Sequence, residues 1–272
     1  MHPNAMSIIT LALALLTGIL MIVLMTTWNQ VEEFSQVTNI YVIRTHKCST
    51  HFMEQWDKVL KELPNDRLYV IFDNTSNNLP PEFHKKYMHH IIVYTEENAR
   101  RMNPLHMDVK SSVDTSIELI YSKIMYKPFD YLWLIEDDVF CHGNWYDTLS
   151  KIDTNNTDFL ATYVEKHDVS IAWVHWEAIH GDMRTTPMKD RVKSFFPLTR
   201  YSRRMLECAH AEFGKSSGFC EVYFPTLANK YNLTFDNIDP DIIGAFLLWE
   251  AAIPQVPAHN KLYHKYTLDQ KK

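Results

Sequence analysis

Three acids stand in a row at Glu136, Asp137 and Asp138. They close an apolar run, Tyr-Leu-Trp-Leu-Ile at 131–135. Crowded carboxylates repel one another unless a cation is shared. Their hard oxygens suit Mn²⁺ or Mg²⁺, with substrate phosphates completing the shell. A continuous apolar run reads as a buried strand of an α/β sheet. Ligands of such sheets gather beyond the carboxyl ends of the strands. The plainer reading is that these acids cap a following helix or face solvent. Two more strand ends carry polar groups. Arg44 and Thr45 close one, and Asp73 closes another. An acid at that position hydrogen-bonds a base or ribose, or else forms a local turn with Asn74.

The elements needed to hold these groups are legible. Residues 39–44 read as a strand. Residues 49–63 have helical spacing, with Phe52, Trp56, Val59, Leu60 and Leu63 on one side. Pro64, Asn65 and Asp66 break that helix. Strands are predicted at 67–72 and 90–95, and a helix at 114–125 ahead of the acidic strand. This alternation predicts a largely parallel sheet. Further strands are predicted at 159–164 and 170–179. Trp173 and Trp176 would face opposite sides of the second. One would be core and the other a platform for an acceptor sugar, although two ordinary core aromatics are the plainer reading. The basic stretch 183–204 reads as solvated surface. Residues 215–218 read as a small flexible turn before a short helix, with Glu221 at its start and Pro225 in its first turn.

Composition narrows the classes. The chain has 272 residues, 46% hydrophobic and 13% aromatic, as a globular protein requires. A net charge of −6 with interspersed signs gives no nucleic-acid surface. Only 6 glycines are present, and no glycine-rich phosphate loop is found. The four cysteines form no CxxC pair, which argues against structural zinc. Cys208 and Cys220 are the pair to expect in an oxidising compartment; the other reading leaves all four reduced. Residues 5–31 carry no charge. That is long enough for a membrane-spanning helix, with a cleavable signal peptide as the competing reading. Glu32 and Glu33 follow it, so the larger part of the chain is expected on the non-cytosolic side. Asn74, Asn155 and Asn232 head glycosylation triplets.

With the acidic triplet in place, the chain resembles the GT-A class of nucleotide-sugar glycosyltransferases, many of them type II membrane proteins. The resemblance covers residues 38–266. It implies a single Rossmann-type α/β/α domain with a mostly parallel central sheet, preceded by a transmembrane helix. Expected boundaries are a tail at 1–7, an anchor at 8–28, a linker at 29–37, a nucleotide-binding half at 38–140, an acceptor half at 141–266 and a tail at 267–272. A narrower likeness, to glycosyltransferases of algae and large algal viruses, rests on Ser-Gly-Phe-Cys-Glu-Val-Tyr-Phe-Pro-Thr-Leu-Ala at 217–228 and Lys-Leu-Tyr-His-Lys-Tyr at 261–266. It implies transfer of xylose or a similar sugar to a surface glycan.

The resemblance also assigns roles. Glu136, Asp138 and His264 would hold Mn²⁺ or Mg²⁺, with His264 preferred over His259. Arg44, Thr45, Asp73 and Asp137 would contact the nucleotide, expected to be that of a UDP-sugar. Glu221 would be the general base of an inverting transfer, with Asp241 in reserve and Glu212 and Glu250 behind it. A first-turn glutamate favoured by the helix dipole is the plainer reading of Glu221. A retaining mechanism would need no base. Partners would be the donor, a glycan or glycoprotein acceptor and a membrane. The location would be the Golgi or ER lumen, or a host membrane if the chain is viral. The competing activities are a membrane-anchored metal-dependent phosphoesterase, which usually needs two metals, and a non-catalytic glycan-binding protein.

Overall fold

The structure is a computed structural model that describes residues 17–22, 37–108, 110–244 and 257–264. The chain divides into two compact units, 1–37 and 38–272. In the first, residues 17–22 are helical. The rest of the expected anchor at 8–28 lies outside the described residues, and no described helix is long and apolar enough to cross a membrane.

The second unit is built on a seven-stranded sheet. Its strands are β1 (Asn39–Thr45), β2 (Leu68–Asp73), β3 (Ile91–Tyr94), β4 (Tyr131–Glu136), β6 (Phe159–Lys166), β8 (Val192–Ser202) and β10 (Phe235–Asn237). Their order is β10-β6-β8-β4-β1-β2-β3. All pairs are parallel except those of β8, which runs against both β4 and β6. The mixed α/β domain with a mostly parallel sheet fits the GT-A-like arrangement expected.

Alternation along the strands makes two cores. Ile40 and Val42 of β1, Tyr69 and Ile71 of β2 and Leu132 and Leu134 of β4 join one cluster. Their neighbours Tyr41, Ile43, Val70, Phe72, Trp133 and Ile135 join the other. Successive strand residues face opposite sides, so the sheet is covered on both. The first cluster takes in α4 (Asp114–Ile124), α6 (Arg203–Glu212) and α7 (Cys220–Lys230). The second takes in α1 (Thr50–Glu62), α2 (Pro81–Tyr87) and α5 (Trp145–Leu149). Helix α1 forms where its spacing predicts: Ser49 caps it by accepting from the Phe52 N–H at 3.1 Å, and Trp56 is fully buried. Helix α2, together with α3 (Glu96–Met102), was not anticipated from sequence.

Several expectations need correcting. The basic stretch 183–204 is largely β8 and its approach, and two of its arginines are buried rather than solvated. The Arg200 guanidinium lies 4.0 Å from the Tyr131 ring centroid and donates to the Ile152 carbonyl at 3.0 Å. Aromatic faces and free carbonyls thus replace water around the charge. The segment 170–179 is a series of turns, with only β7 (Ile179–Gly181) extended at its end. Residues 216–218 are a buried strand, β9 (Ser216–Gly218), paired antiparallel with β7 rather than a flexible turn. Pro225 lies in the second turn of α7, where it removes the bond that the Glu221 carbonyl would have accepted. All four cysteines are free, which matches the reduced one of the two cysteine readings.

The β7–β9 pair depends on a glycine. Gly181 has φ 71°, and a Cβ there would sit 2.0 Å from the Lys215 carbonyl oxygen. We expect Gly181→Ala to destabilise the domain by about 1–3 kcal/mol. That is a fall in Tm of roughly 2–4 °C per kcal/mol, measurable by thermal melting.

Candidate active site

The carboxyl ends of β1, β2 and β4 open into one cleft of about 520 Å³. Arg44, Thr45, Asp73, Glu136, Asp137, Asp138 and Glu221 all line it. Register explains the first contacts. Arg44 lies opposite Glu136 on neighbouring parallel strands, and Nη1 meets Oε1 at 2.9 Å. One step on, the Thr45 hydroxyl donates to Asp137 Oδ2 at 2.5 Å.

His264 arrives by a separate route. The chain turns at Asp137 and Asp138 into β5 (Val139–His142), which pairs antiparallel with β11 (Lys261–His264). Val139 is the register partner of His264, so the imidazole stands beside Asp138. Its Nε2 lies 3.4 Å from Asp138 Oδ1. One ligand atom from each of Glu136, Asp138 and His264 falls within 4.8 Å of the others.

The electrostatics set these acids apart. Burial pushes Glu136 above the usual carboxylate range against the pull of Arg44. Burial also raises Asp137, against its hydrogen bond from Thr45. Burial would raise Asp138 as well, but His264 outweighs it and holds the carboxyl below its ordinary value. Glu221 is pushed up to about 7, first by burial and then by the Glu136 charge.

The site fits a divalent cation. Asp138 Oδ1 is buried, with the His264 imidazole at 3.4 Å as a long, poorly satisfying partner, an arrangement that a cation would complete. Two carboxylates and an imidazole form a mixed donor set that Mn²⁺ accepts, and Mg²⁺ suits the oxygens.

Not every expected residue takes its expected place. Asp73 lines the cleft, yet its Oδ1 accepts from the Thr75 N–H at 2.9 Å and from the Thr75 hydroxyl at 2.5 Å. The local-turn reading therefore holds, with Thr75 rather than Asn74 as partner. Arg44 lines the cleft and pairs with Glu136 through Nη1. Trp176 is buried, donating its Nε1–H to the Ser170 carbonyl at 2.9 Å. Trp173 is half-buried and crosses it at 5.1 Å between ring centroids. The two indoles share one cluster because the segment turns instead of extending. Asp241 is exposed and absent from the cleft lining. Glu212 is buried beneath Lys230, Tyr231 and Ser216, and Glu250 lies outside the described residues. His259 packs against His142.

His46, which follows Thr45 at the same strand end, lines the cleft as well, and sequence reading missed Lys110, Ser111, Phe196 and Pro197. Their signal was positional, since Lys110 precedes a helix that packs beside a strand end. The Ser111 carbonyl accepts from the Cys220 N–H at 2.8 Å, tying that loop to the residue before Glu221.

Arg44 offers a direct test of the metal centre. Arg44→Met leaves Glu136 buried without its partner, and a protonated Glu136 is a poor ligand. Groups that orient metal ligands are worth about 10–100-fold in metal affinity. We expect the Mn²⁺ affinity to fall by that factor in a thermal-shift titration. A gain in affinity would show that repulsion between Arg44 and the cation dominates instead.

No protein-family model matches this chain, and no curated protein matches it. Solved structures similar to it include a mannosyltransferase from Pyrobaculum calidifontis in complex with GDP-Man and Mn²⁺, at 12% identity and a TM-score of 0.41. That match covers 75% of this chain and 55% of the other, so this chain spans about half the mannosyltransferase's length. Mouse xyloside xylosyltransferase 1 in its apo form is similar at 11% identity and a TM-score of 0.43, over 84% of this chain and 97% of that one. At these values neither likeness decides what this chain does.

Proposed function

We propose that the domain transfers a sugar from a nucleotide-sugar to a glycan acceptor with the help of Mn²⁺ or Mg²⁺. The carrying observation is the convergence of Glu136, Asp138 and His264, two of which line a cleft that Glu221 also lines. Glu136, Asp138 and His264 would hold the cation. Bound there, it would neutralise a leaving diphosphate as a Lewis acid. Thr45 holds Asp137 in place at the same strand ends. Lys110 brings a positive charge to the rim of the cleft, suited to phosphate. Glu221 takes the proton of the attacking acceptor hydroxyl at its carboxylate, and the product is inverted at the anomeric carbon. The Phe196 backbone lies near the Glu221 carboxylate and favours its charged form.

The finer reading comes from sequence. A UDP-sugar donor, and xylose as the sugar, rest on the resemblance of stretches 217–228 and 261–266. Those stretches contain Glu221 and His264, and the His264 charge bears on Glu221. A type II anchor facing a Golgi or ER lumen, or a host membrane for a viral chain, rests on the uncharged residues 5–31. Among the described residues one acidic cluster has metal-ligand spacing, which favours transfer over a two-metal phosphoesterase.

The test is a donor screen on the full chain. UDP- and GDP-sugars are tried for thermal stabilisation with and without Mn²⁺. A ligand at ~100 times its Kd adds about 2.7 kcal/mol. Stabilisation by one nucleotide-sugar, dependent on Mn²⁺, is the expected result. Its absence from every nucleotide, with the protein folded, would overturn the proposal.

A further inference from the structure

Four residues other than glycine have positive φ among those described, and three of them are asparagine: Asn77, Asn232 and Asn260. The fourth is Tyr163, at φ 53°. Asparagine tolerates this left-handed conformation, whereas a bulky side chain is strained by it. Tyr163 is therefore held there by its neighbours. Thr162 of β6 pairs with Phe195 of β8 and Glu165 with Lys193, so Tyr163 and Val164 together face the single residue Ser194. This is a β-bulge, a device that re-aims a side chain. It is pinned on both flanks: the Val164 N–H donates to Asn237 Oδ1 at 2.9 Å, and Lys193 Nζ meets Glu165 Oε2 at 3.0 Å. Core packing does not account for a tyrosine here, since the side chain joins neither apolar cluster and the residue is 46% exposed.

The bulge lies at the level of the acids. Tyr201 of β8 pairs with Leu132 of β4 on one side and with Phe159 of β6 on the other. Strands β4 and β6 run the same way, and four residues on from those partners stand Glu136 and Tyr163. Two strand spacings, roughly 10 Å, separate them. Rings bridge the gap. Tyr163 meets Phe195 at 6.5 Å between centroids, and Phe195 meets the His264 imidazole at 5.1 Å. The next residue, Phe196, lines the cleft. Strands β1 and β2, whose ends would hold the nucleotide, lie on the other side of β4. Tyr163 thus stands across the acidic site from the nucleotide, on the side left for an acceptor.

We propose that Tyr163 is an acceptor-binding residue whose ring stacks against a sugar ring of the acceptor, and that the strained bulge serves to present it. The proposal rests on the transferase reading above. A sugar ring has an apolar C–H face that an aromatic ring covers, with hydroxyls at its rim. Glu165 and Lys193, the next register pair along the two strands, supply polar groups for such hydroxyls. Backbone strain that packing does not offset is kept where a ligand uses the side chain. Stability and binding should then move in opposite directions at this position: asparagine fits the backbone better and the acceptor worse.

The experiment compares the full wild-type chain with Tyr163→Asn and Tyr163→Phe. It uses the donor that the thermal screen identifies, with methyl glycosides of the common pentoses and hexoses as acceptors. Tyr163→Asn should melt at the wild-type temperature or above it, because the strain is relieved. Its KM for the best of these acceptors should rise by about tenfold, the scale of one aromatic contact. Its Mn²⁺-dependent stabilisation by the donor should stay unchanged. Tyr163→Phe keeps the ring and should keep an acceptor KM close to that of the wild type. A lower Tm in Tyr163→Asn would show that packing holds the tyrosine, and would overturn the proposal. So would an unchanged acceptor KM, a loss confined to kcat, or a wild type that transfers to none of these sugars. Failure of the transferase reading shows separately, as a lack of donor stabilisation in the wild type before any acceptor is added.

Discussion

Asp138→Asn is expected to remove Mn²⁺-dependent stabilisation by the donor and to lower transfer by roughly a hundred- to thousandfold, the scale for losing one electrostatic partner of a developing charge. The substitution keeps the shape and takes away the charge. Asp138 is the acid of the triplet held below its ordinary pKa, with His264 overcoming its burial. It is therefore the carboxylate most firmly ionised before any cation arrives. Its Oδ1 is also buried, with only the His264 imidazole, at 3.4 Å, to meet it. The fold itself should survive. The Asp138 charge is one cause of the raised values of Glu136 and Asp137, so its removal relieves both neighbours. The measurement is a melting series with Mn²⁺, with nucleotide-sugar and with both. An unchanged Mn²⁺-dependent shift in the variant would sink the metal centre. Retained glycan binding with no turnover in either protein would favour the non-catalytic reading.

How much of this was legible depends on what each residue's signal was. Strand β4 was plain because a strand buried on both faces is apolar at every position, and its acidic end was plain because three adjacent carboxylates stop that apolar run abruptly. The parallel order of β1, β2 and β4 followed from alternation with helices. Strand β8 was hidden by its charges: Arg200 is buried by a cation–π contact and carbonyl partners that no sequence pattern marks. The two tryptophans were misplaced for a related reason, since spacing of three positions cannot separate a strand from successive turns. Asp241 was plausible by type alone, and the fold leaves it in solvent. His264 has no local signal at all. It reaches Asp138 through the β5–β11 register, across more than a hundred residues, and only the family resemblance pointed to it. Lys110 and Ser111 carry no motif and become site residues through the Cys220–Ser111 bond.

Glu221→Gln is expected to lower kcat by about 10²–10⁴, the usual worth of a general base, with little change in donor affinity. Gln keeps the hydrogen-bonding shape but cannot accept a proton. The pH profile gives the sharper test. Glu221 is pushed up to about 7 by burial and by Glu136. A base acts when ionised, so the wild-type rate should rise with pH and level off above this value. A cation bound by Glu136 offsets the second of those causes, so the limb in the metal-loaded enzyme should fall at or below about 7. In the variant that limb should vanish along with most of the rate. Stability moves the opposite way. Between the ordinary value of 4.5 and about 7 the folded chain keeps a proton at Glu221 that the unfolded chain has lost. The contribution of this residue is thus present in full at low pH and is lost as pH rises through about 7. The Tm of the metal-free wild type should drop more between pH 5 and pH 8 than that of Glu221→Gln. A rate limb that survives in the variant would assign it to another group. A rate close to wild type would remove Glu221 from the chemistry and point to a retaining transfer, which needs no base at that position.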